Sequence, residues 1–172
     1  MTGPIIQTER MNLVLPCTDH LPAYVAYCGG LRSQFVGGPF DSAKAFEKLC
    51  AMVGHWRLRG FGRYVMTLKS TGQPIGHVGA LQIDTAEPPE MKWTIWEDAY
   101  EGKGYAIEAV TAYLAHVPKV DSFAEMLIRI ENKNQRSLRL ADRIGATRDE
   151  IAVAPHWMPT AVTLRLRVTN NG

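Results

Sequence analysis

Gly102 and Gly104, two residues apart and followed by Tyr105-Ala106-Ile107, form the most chemically pointed stretch of this 172-residue sequence. Glycine lets a backbone turn tightly and present successive N–H groups outward. A helix beginning there adds its positive dipole end, so the junction suits a phosphate or pyrophosphate. The same spacing also serves a plain tight turn between a strand and a helix, and spacing alone does not choose. Two familiar phosphate loops are absent. GxxxxGK[ST] does not occur, and Ile107 stands where a dinucleotide fingerprint would carry its third glycine.

Other chemistries find less support. The five histidines, His20, His55, His77, His116 and His156, show no HxH or HxxxH pairing, which predicts no metal site. There is no GxSxG and hence no serine nucleophile elbow. Cys17, Cys28 and Cys50 are odd in number and fit no CxxC spacing, so they read as reduced thiols in a cytoplasmic protein. Nineteen Lys and Arg against seventeen Asp and Glu leave a net charge of +2 with no block of one sign, which gives no support to nucleic-acid binding. No apolar run approaches the length of a membrane span, and Met1–Arg10 lacks the pattern of an export leader. With 46% apolar and 21% charged residues, the chain is expected to fold as one domain over 1–172 around a single core, neither disordered nor a coiled coil.

The elements that must position the loop follow from periodicity. Arg10 to Leu15 alternates as a first strand. Asp19 is the expected cap of a short helix that stops at Gly29-Gly30. Asp41-Ser42 opens a second helix with Phe46, Leu49, Val53 and Trp56 at helical spacing, ending near Gly60. Tyr64–Leu68 and Pro74–Ile83 flank the turn Ser70-Thr71-Gly72-Gln73 as a hairpin, and Glu90–Trp96 is a third extended segment. A helix runs from the glycine loop to about His116, Met126–Glu131 is a strand, Asn134–Ile144 a helix stopped by Gly145, and Val162–Val168 an alternating last strand. The order β-α-α-β-β-β-α-β-α-β predicts a mixed α/β (α+β) domain on one twisted sheet. Alternation puts Glu90, Lys92, Thr94 and Trp96 on one face of their strand and Met91, Trp93 and Ile95 on the other. Trp56, Arg57, Arg59 and Phe61 are candidates for lining a cleft below the second helix, although a core Trp56 beside solvated arginines is the preferred reading. His156-Trp157 lies in a loop that would border such a cleft.

Glu101-Gly102-Lys103-Gly104-Tyr105-Ala106-Ile107-Glu108-Ala109, read with Asn134-Gln135-Arg136-Ser137-Leu138 and Gly145-Ala146, resembles the GNAT acyl-CoA N-acyltransferase superfamily, most nearly the branch of the RimJ and RimL ribosomal-protein acetyltransferases. Gly104 and Ala106 match the signature (Arg/Gln)-x-x-Gly-x-(Gly/Ala). Asn134, Ser137 and Gly145 match a later Asn-x-x-Ser before a helix that ends in Gly. Thr8-Glu9-Arg10, Trp56–Gly62 and Gly72–Gly79 are also similar, so the likeness covers nearly the whole chain. Glu101 departs from the signature's Arg or Gln, and a carboxylate beside a pyrophosphate is unfavourable unless it points away or pairs with Lys103.

The resemblance implies a mostly antiparallel sheet with a splayed central strand pair, flanked by helices. Acetyl-CoA would lie between the Glu90–Trp96 and Met126–Glu131 strands. Its pyrophosphate would sit on Glu101, Gly102, Lys103, Gly104, Tyr105 and Ala106, and its pantetheine arm on Thr94, Ile95, Trp96, Asn134 and Ser137. A primary amine would attack the thioester directly, with Glu90 as general base, the backbone N–H of Trp96 or Ile95 as oxyanion donor, and Ser137 protonating the thiolate. Outside catalysis, Glu90 would be a solvated strand-end charge and Ser137 a helix cap. The resemblance implies an acetyl-CoA-dependent N-acetyltransferase acting on a protein N-terminus or a small amine, without metal, nucleic acid or membrane, and a homodimer. The alternatives are a non-catalytic acyl-CoA sensor, which would not need Glu90, and a structural partner in a ribosomal or biosynthetic assembly.

Overall fold

The computed structural model describes residues 5–120 and 124–168, with the side chains of 118–120 left aside. Its elements are β1 (Ile6–Gln7), β2 (Met11–Val14), α1 (Leu21–Gly29), α2 (Ser42–Arg59), β3 (Arg63–Leu68), β4 (Pro74–Leu81), β5 (Glu90–Ile95), α3 (Tyr105–Val120), β6 (Glu125–Glu131), α4 (Gln135–Arg143), β7 (Thr147–Arg148) and β8 (Ala161–Arg167). The eight strands form one sheet in the order β1-β2-β3-β4-β5-β6-β8-β7. Every neighbouring pair is antiparallel except β5 and β6, which run parallel and register at a single pair, Glu90 with Leu127. This is the mixed, mostly antiparallel sheet that the strand periodicity and the family resemblance lead one to expect. The two-residue strands β1 and β7 are additions too short for periodicity to reveal.

Helices cover both faces. On one, Tyr24 and Tyr27 of α1 and Leu49 and Met52 of α2 pack on Val65, Leu81 and Trp96. On the other, Val110 and Tyr113 of α3 and Ala141 of α4 pack on Met66, Ile75, Met91 and Ile128. α2 is capped as expected, Asp41 accepting from the Lys44 N–H at 2.8 Å. Its buried stripe, however, is Ala45, Leu49, Met52 and His55, while Phe46 and Val53 face solvent. The stripe is rotated by about one residue, toward the side on which α2 packs with Tyr24, Tyr27 and Cys28 of α1. Asp19 is not a cap either. It lies in a 3-10 turn, Thr18–His20, and α1 starts after His20 with Pro22 in its first turn.

α4 closes where its glycine predicts. Gly145 has φ +82, its N–H donates to the Asp142 carbonyl, and the Ala146 N–H donates to Ala141. Within β4, Gly79 has a φ of +132 that only glycine adopts without strain. The Ala80 N–H is left outside the sheet ladder and donates to the buried Tyr113 hydroxyl at 3.1 Å.

Candidate active site

The direction of the backbone groups along β5 builds the site. The Trp96 N–H donates to Ile75 of β4 at 2.8 Å, and the Leu127 N–H of β6 donates to Pro89 at 2.9 Å. Backbone groups alternate sides along a strand, so even-numbered residues of β5 bond to β4 and odd-numbered ones face β6. Past the Glu90–Leu127 pair the two strands part. Trp93 and Ile95 therefore present their backbone groups to an open cleft of about 930 Å³ that runs between β5, the glycine loop and α4. The oxyanion role expected of the Trp96 N–H is corrected here: that N–H is already bonded to Ile75, and the indole is buried against Tyr24 and Tyr27, off the cleft. Ile95 faces the gap, its carbonyl accepting from Arg32 Nε at 3.0 Å. Thr94 bonds to β4 through its backbone and borders the cleft with its side chain.

Gly102 (φ +72) and Gly104 (φ +82) bend the chain into α3, whose first-turn N–H groups lie at the end of the cleft with Tyr105 and Ala106. Glu101 does not pair with Lys103. It forms ion pairs with Arg32, at 2.6 Å, and with Arg136, and the Arg32 hydrogen bond holds its carboxyl below the ordinary value. Lys103 does not line the cleft, and its carbonyl accepts from Arg10 Nη1 at 3.0 Å. Arg10 also stacks 4.1 Å over the Tyr105 ring and pairs with Glu108 at 2.7 Å. Burial pushes the Glu108 carboxyl up, but hydrogen bonds from Thr8 and Arg10 outweigh it and keep the group below its ordinary range.

The opposite wall is α4. Asn134 is its cap, Oδ1 accepting from the Ser137 N–H at 3.2 Å. The capping role considered for Ser137 thus belongs to Asn134. The Ser137 hydroxyl borders the cleft and makes no hydrogen bond among the described residues.

A second cavity, of about 440 Å³, opens on the helix α1–α2 side of β5. Tyr27, Val36, Lys92, Thr94 and Arg129 line both cavities, so the two meet at β5. Glu90 lies in the second, not as a solvated strand end but as the centre of an ion cluster: 3.0 Å from Lys92 Nζ and 2.8 Å from Arg129 Nη1. Burial raises its carboxyl, and the two cations outweigh burial, so it stays ionised below the usual range. His77 accepts from Trp96 Nε1 at 3.0 Å through Nδ1. An indole N–H only donates, so the imidazole proton sits on Nε2. Burial, then the charges of Arg63, Lys92 and Lys48, push its pKa well below the ordinary value, and it is neutral.

Trp157 borders the second cavity, its ring 5.7 Å from Lys92 Nζ, whereas His156 does not. Trp56, Arg57, Arg59 and Phe61 also lie off it. Trp56 packs on Tyr64 at 4.8 Å, and Nε1 donates to the Arg63 carbonyl. Sequence reasoning gave no site role to Lys92 and His77, which it named only as a strand-face residue and an unpaired histidine, and did not single out Arg129, Arg63 or Lys48. The available signal was a charged or imidazole side chain inside an apolar strand, such as Arg129 within Met126–Ile130 or His77 within Pro74–Leu81. Among the described residues no His, Cys, Asp or Glu group is placed to hold a metal, and no helix is long and apolar enough to cross a membrane.

Residues 10–147 match the family model described as an acetyltransferase (GNAT) domain. An acetyltransferase from Agrobacterium tumefaciens str. C58 is 29% identical and superposes with a TM-score of 0.85, over 96% of this chain and 95% of that one. The ribosomal L7/L12 alpha-N-protein acetyltransferase RimL, solved with coenzyme A, is 15% identical with a TM-score of 0.76 over 96% and 98% of the two chains. The microcin C7 self-immunity acetyltransferase MccE, solved with acetyl-CoA and AMP, is 12% identical with a TM-score of 0.75 over 93% of each. At such identities the last two likenesses are of fold alone. No curated protein matches the sequence.

Proposed function

This chain belongs to the GNAT acetyltransferase family, and from that premise we propose that it transfers the acetyl group of acetyl-CoA directly to a primary amine, of a protein N-terminus or a small molecule. The observation that carries this reading is the meeting of two cavities on β5: a long cleft with free strand backbone and a glycine-loop helix end, and a second chamber on the other side of Thr94. A cleft alone would serve a sensor; the second chamber supplies a place for an acceptor.

In this reading Trp93 and Ile95 pair with the peptide-like pantetheine arm as an added strand would. The N–H groups from Gly102 to Ala106 take the pyrophosphate. Asn134 contributes its free amide to the arm, and Ile95 N–H faces the developing oxyanion. Glu90 accepts the amine proton through a bridging water, and Ser137 returns a proton to the thiolate. Purified protein, acetyl-CoA and a panel of amines and N-terminal peptides test this through release of free thiol and mass gain of the acceptor. Acetyl-CoA binding with no acetylated product from any amine would overturn it in favour of a sensor.

A further inference from the structure

The second cavity carries a charge imbalance that the transfer reaction itself does not require. Four cations line it: Lys48, Arg63, Lys92 and Arg129. Lys92 and Arg129 are matched by Glu90 and Glu87. The remaining lining acid, Asp84, is turned to the Ala86 N–H at 2.9 Å. Among the described residues Lys48 and Arg63 have no carboxylate within ion-pair distance, and the Lys48 ammonium lies 4.5 Å from the Phe40 ring. The Arg63 Nε is buried and makes no hydrogen bond. A buried N–H of a charged guanidinium left without an acceptor is costly, by more than an ordinary unmade hydrogen bond. The fold retains it at the edge of a chamber, where a ligand can supply the acceptor.

Sheet register places this cation relative to the reaction. Arg63 pairs with Gly79, and Gly79 pairs with Lys92. Residues in register share a face, so Arg63 and Lys92 lie on the same face two strands apart, roughly 10 Å between backbones. The residue between them has no side chain, and nothing from β4 stands in the path. His77 and Thr94, also register partners, form the adjoining row. From Arg63 to Thr94 the chamber therefore spans the size of a small molecule, one end cationic and the other at the junction with the cleft.

We propose that the second cavity binds its amine acceptor through an anionic group on that same molecule, a carboxylate or phosphate held by Arg63 and Lys48 while the amine reaches Thr94. The guanidinium fork suits either anion in bidentate fashion, and the Lys48 ammonium adds a point charge. This rests on the amine-acetylation reading and narrows its substrate class to small amino acids or amino phosphates rather than simple polyamines.

Acetylation rates would be compared for amines bearing a carboxylate, amines bearing a phosphate, and the same molecules blocked as neutral amides or esters. Anionic acceptors are expected to surpass their neutral counterparts about a hundredfold in kcat/KM, the order set by loss of one partner of a buried charge pair. Whichever anion leads identifies the source. In Lys48→Gln and Arg63→Gln the advantage should collapse through KM for the acceptor, with KM for acetyl-CoA unchanged, and Arg63→Lys should recover part of it. A thermal-shift titration with the same amino acids and amino phosphates, without acetyl-CoA, separates the two readings. Stabilisation that depends on Lys48 and Arg63, with no acetylation of any amine, would keep the anion site and sink the acetylation reading. Equal rates for charged and neutral acceptors, or no Lys48-dependent stabilisation by either anion, would sink the anion site.

Discussion

Arg129 of β6 donates to Glu90 of β5 at 2.8 Å, just past the one residue pair that registers these strands. The ion pair holds the two strands together at the point where they begin to part, and it keeps the carboxylate in the second cavity against Lys92 and Arg129, which border both cavities.

Glu90→Gln should leave acetyl-CoA affinity unchanged and lower turnover by about a hundredfold, the lower end of general-base effects. The lower end is expected because Lys92 and Arg129 hold the carboxyl below its usual range, making it a weak proton acceptor. Raising the pH should restore part of the rate as free amine replaces the assistance. Wild-type turnover across the pH range would remove Glu90 from the chemistry.

Gly104→Val should abolish acetyl-CoA binding. At φ +82 a β-branched side chain costs roughly 1–2 kcal/mol in backbone strain. An added Cβ would also stand 3.4 Å from Arg10 Nη2, the group that braces the loop. Calorimetry with acetyl-CoA should show no heat while the melt remains cooperative. Unchanged affinity would move the pyrophosphate away from this loop.

Asn134 and Ser137 should separate cleanly. Asn134→Ala removes the α4 cap and should cost about 1 kcal/mol of stability together with weaker acetyl-CoA binding. Ser137→Ala should leave the melting temperature alone, since the cap stays, and lower turnover more than cofactor affinity. A Ser137→Ala enzyme with normal turnover would leave the thiolate to be protonated by water.

Acid should destabilise the protein in two stages. Burial lowers His20, His55 and His77 below their ordinary 6.5, so in each the unfolded chain binds a proton first as pH falls. Stability is fully present above about pH 6.5 and declines below it. A second loss comes below the ordinary carboxylate pKa of 4.5, where Glu90, Glu101 and Glu108, all depressed in the fold, take up protons. Chemical denaturation between pH 7.5 and 5 should show the first slope, and His77→Gln should flatten it. A flat wild-type profile over that range would mean that these imidazoles also titrate freely when folded.

What was legible in the chain was local. Gly102, Gly104 and Gly145 announce themselves because positive φ is a property of one residue, and the hairpin around Gly72 needs only its neighbours. The buried side of α2 was not legible, since Phe46-Val53 and Ala45-Met52 are equally good stripes until the sheet selects one. The second cavity was least legible of all. Lys48, Arg63, His77 and Arg129 come from four elements and meet through the β3-β4-β5-β6 order and the packing of α2, which no spacing records. The Ile95 N–H that faces the gap and the Trp96 N–H bonded to Ile75 differ by a single step along the strand.

The single rung between β5 and β6 divides the sheet into two hydrogen-bonded blocks, β1 to β5 and β6-β8-β7. What joins the blocks at the seam is side-chain contact between β5 and β6 themselves, the Arg129–Glu90 ion pair included. A molecule lying along the gap supplies the backbone partners that the strands deny each other, so its binding adds cohesion between blocks as well as occupancy. Amide hydrogens of β6 and β8 therefore become gauges of the gap. Their exchange should slow when acetyl-CoA enters, although β8 never touches the cleft.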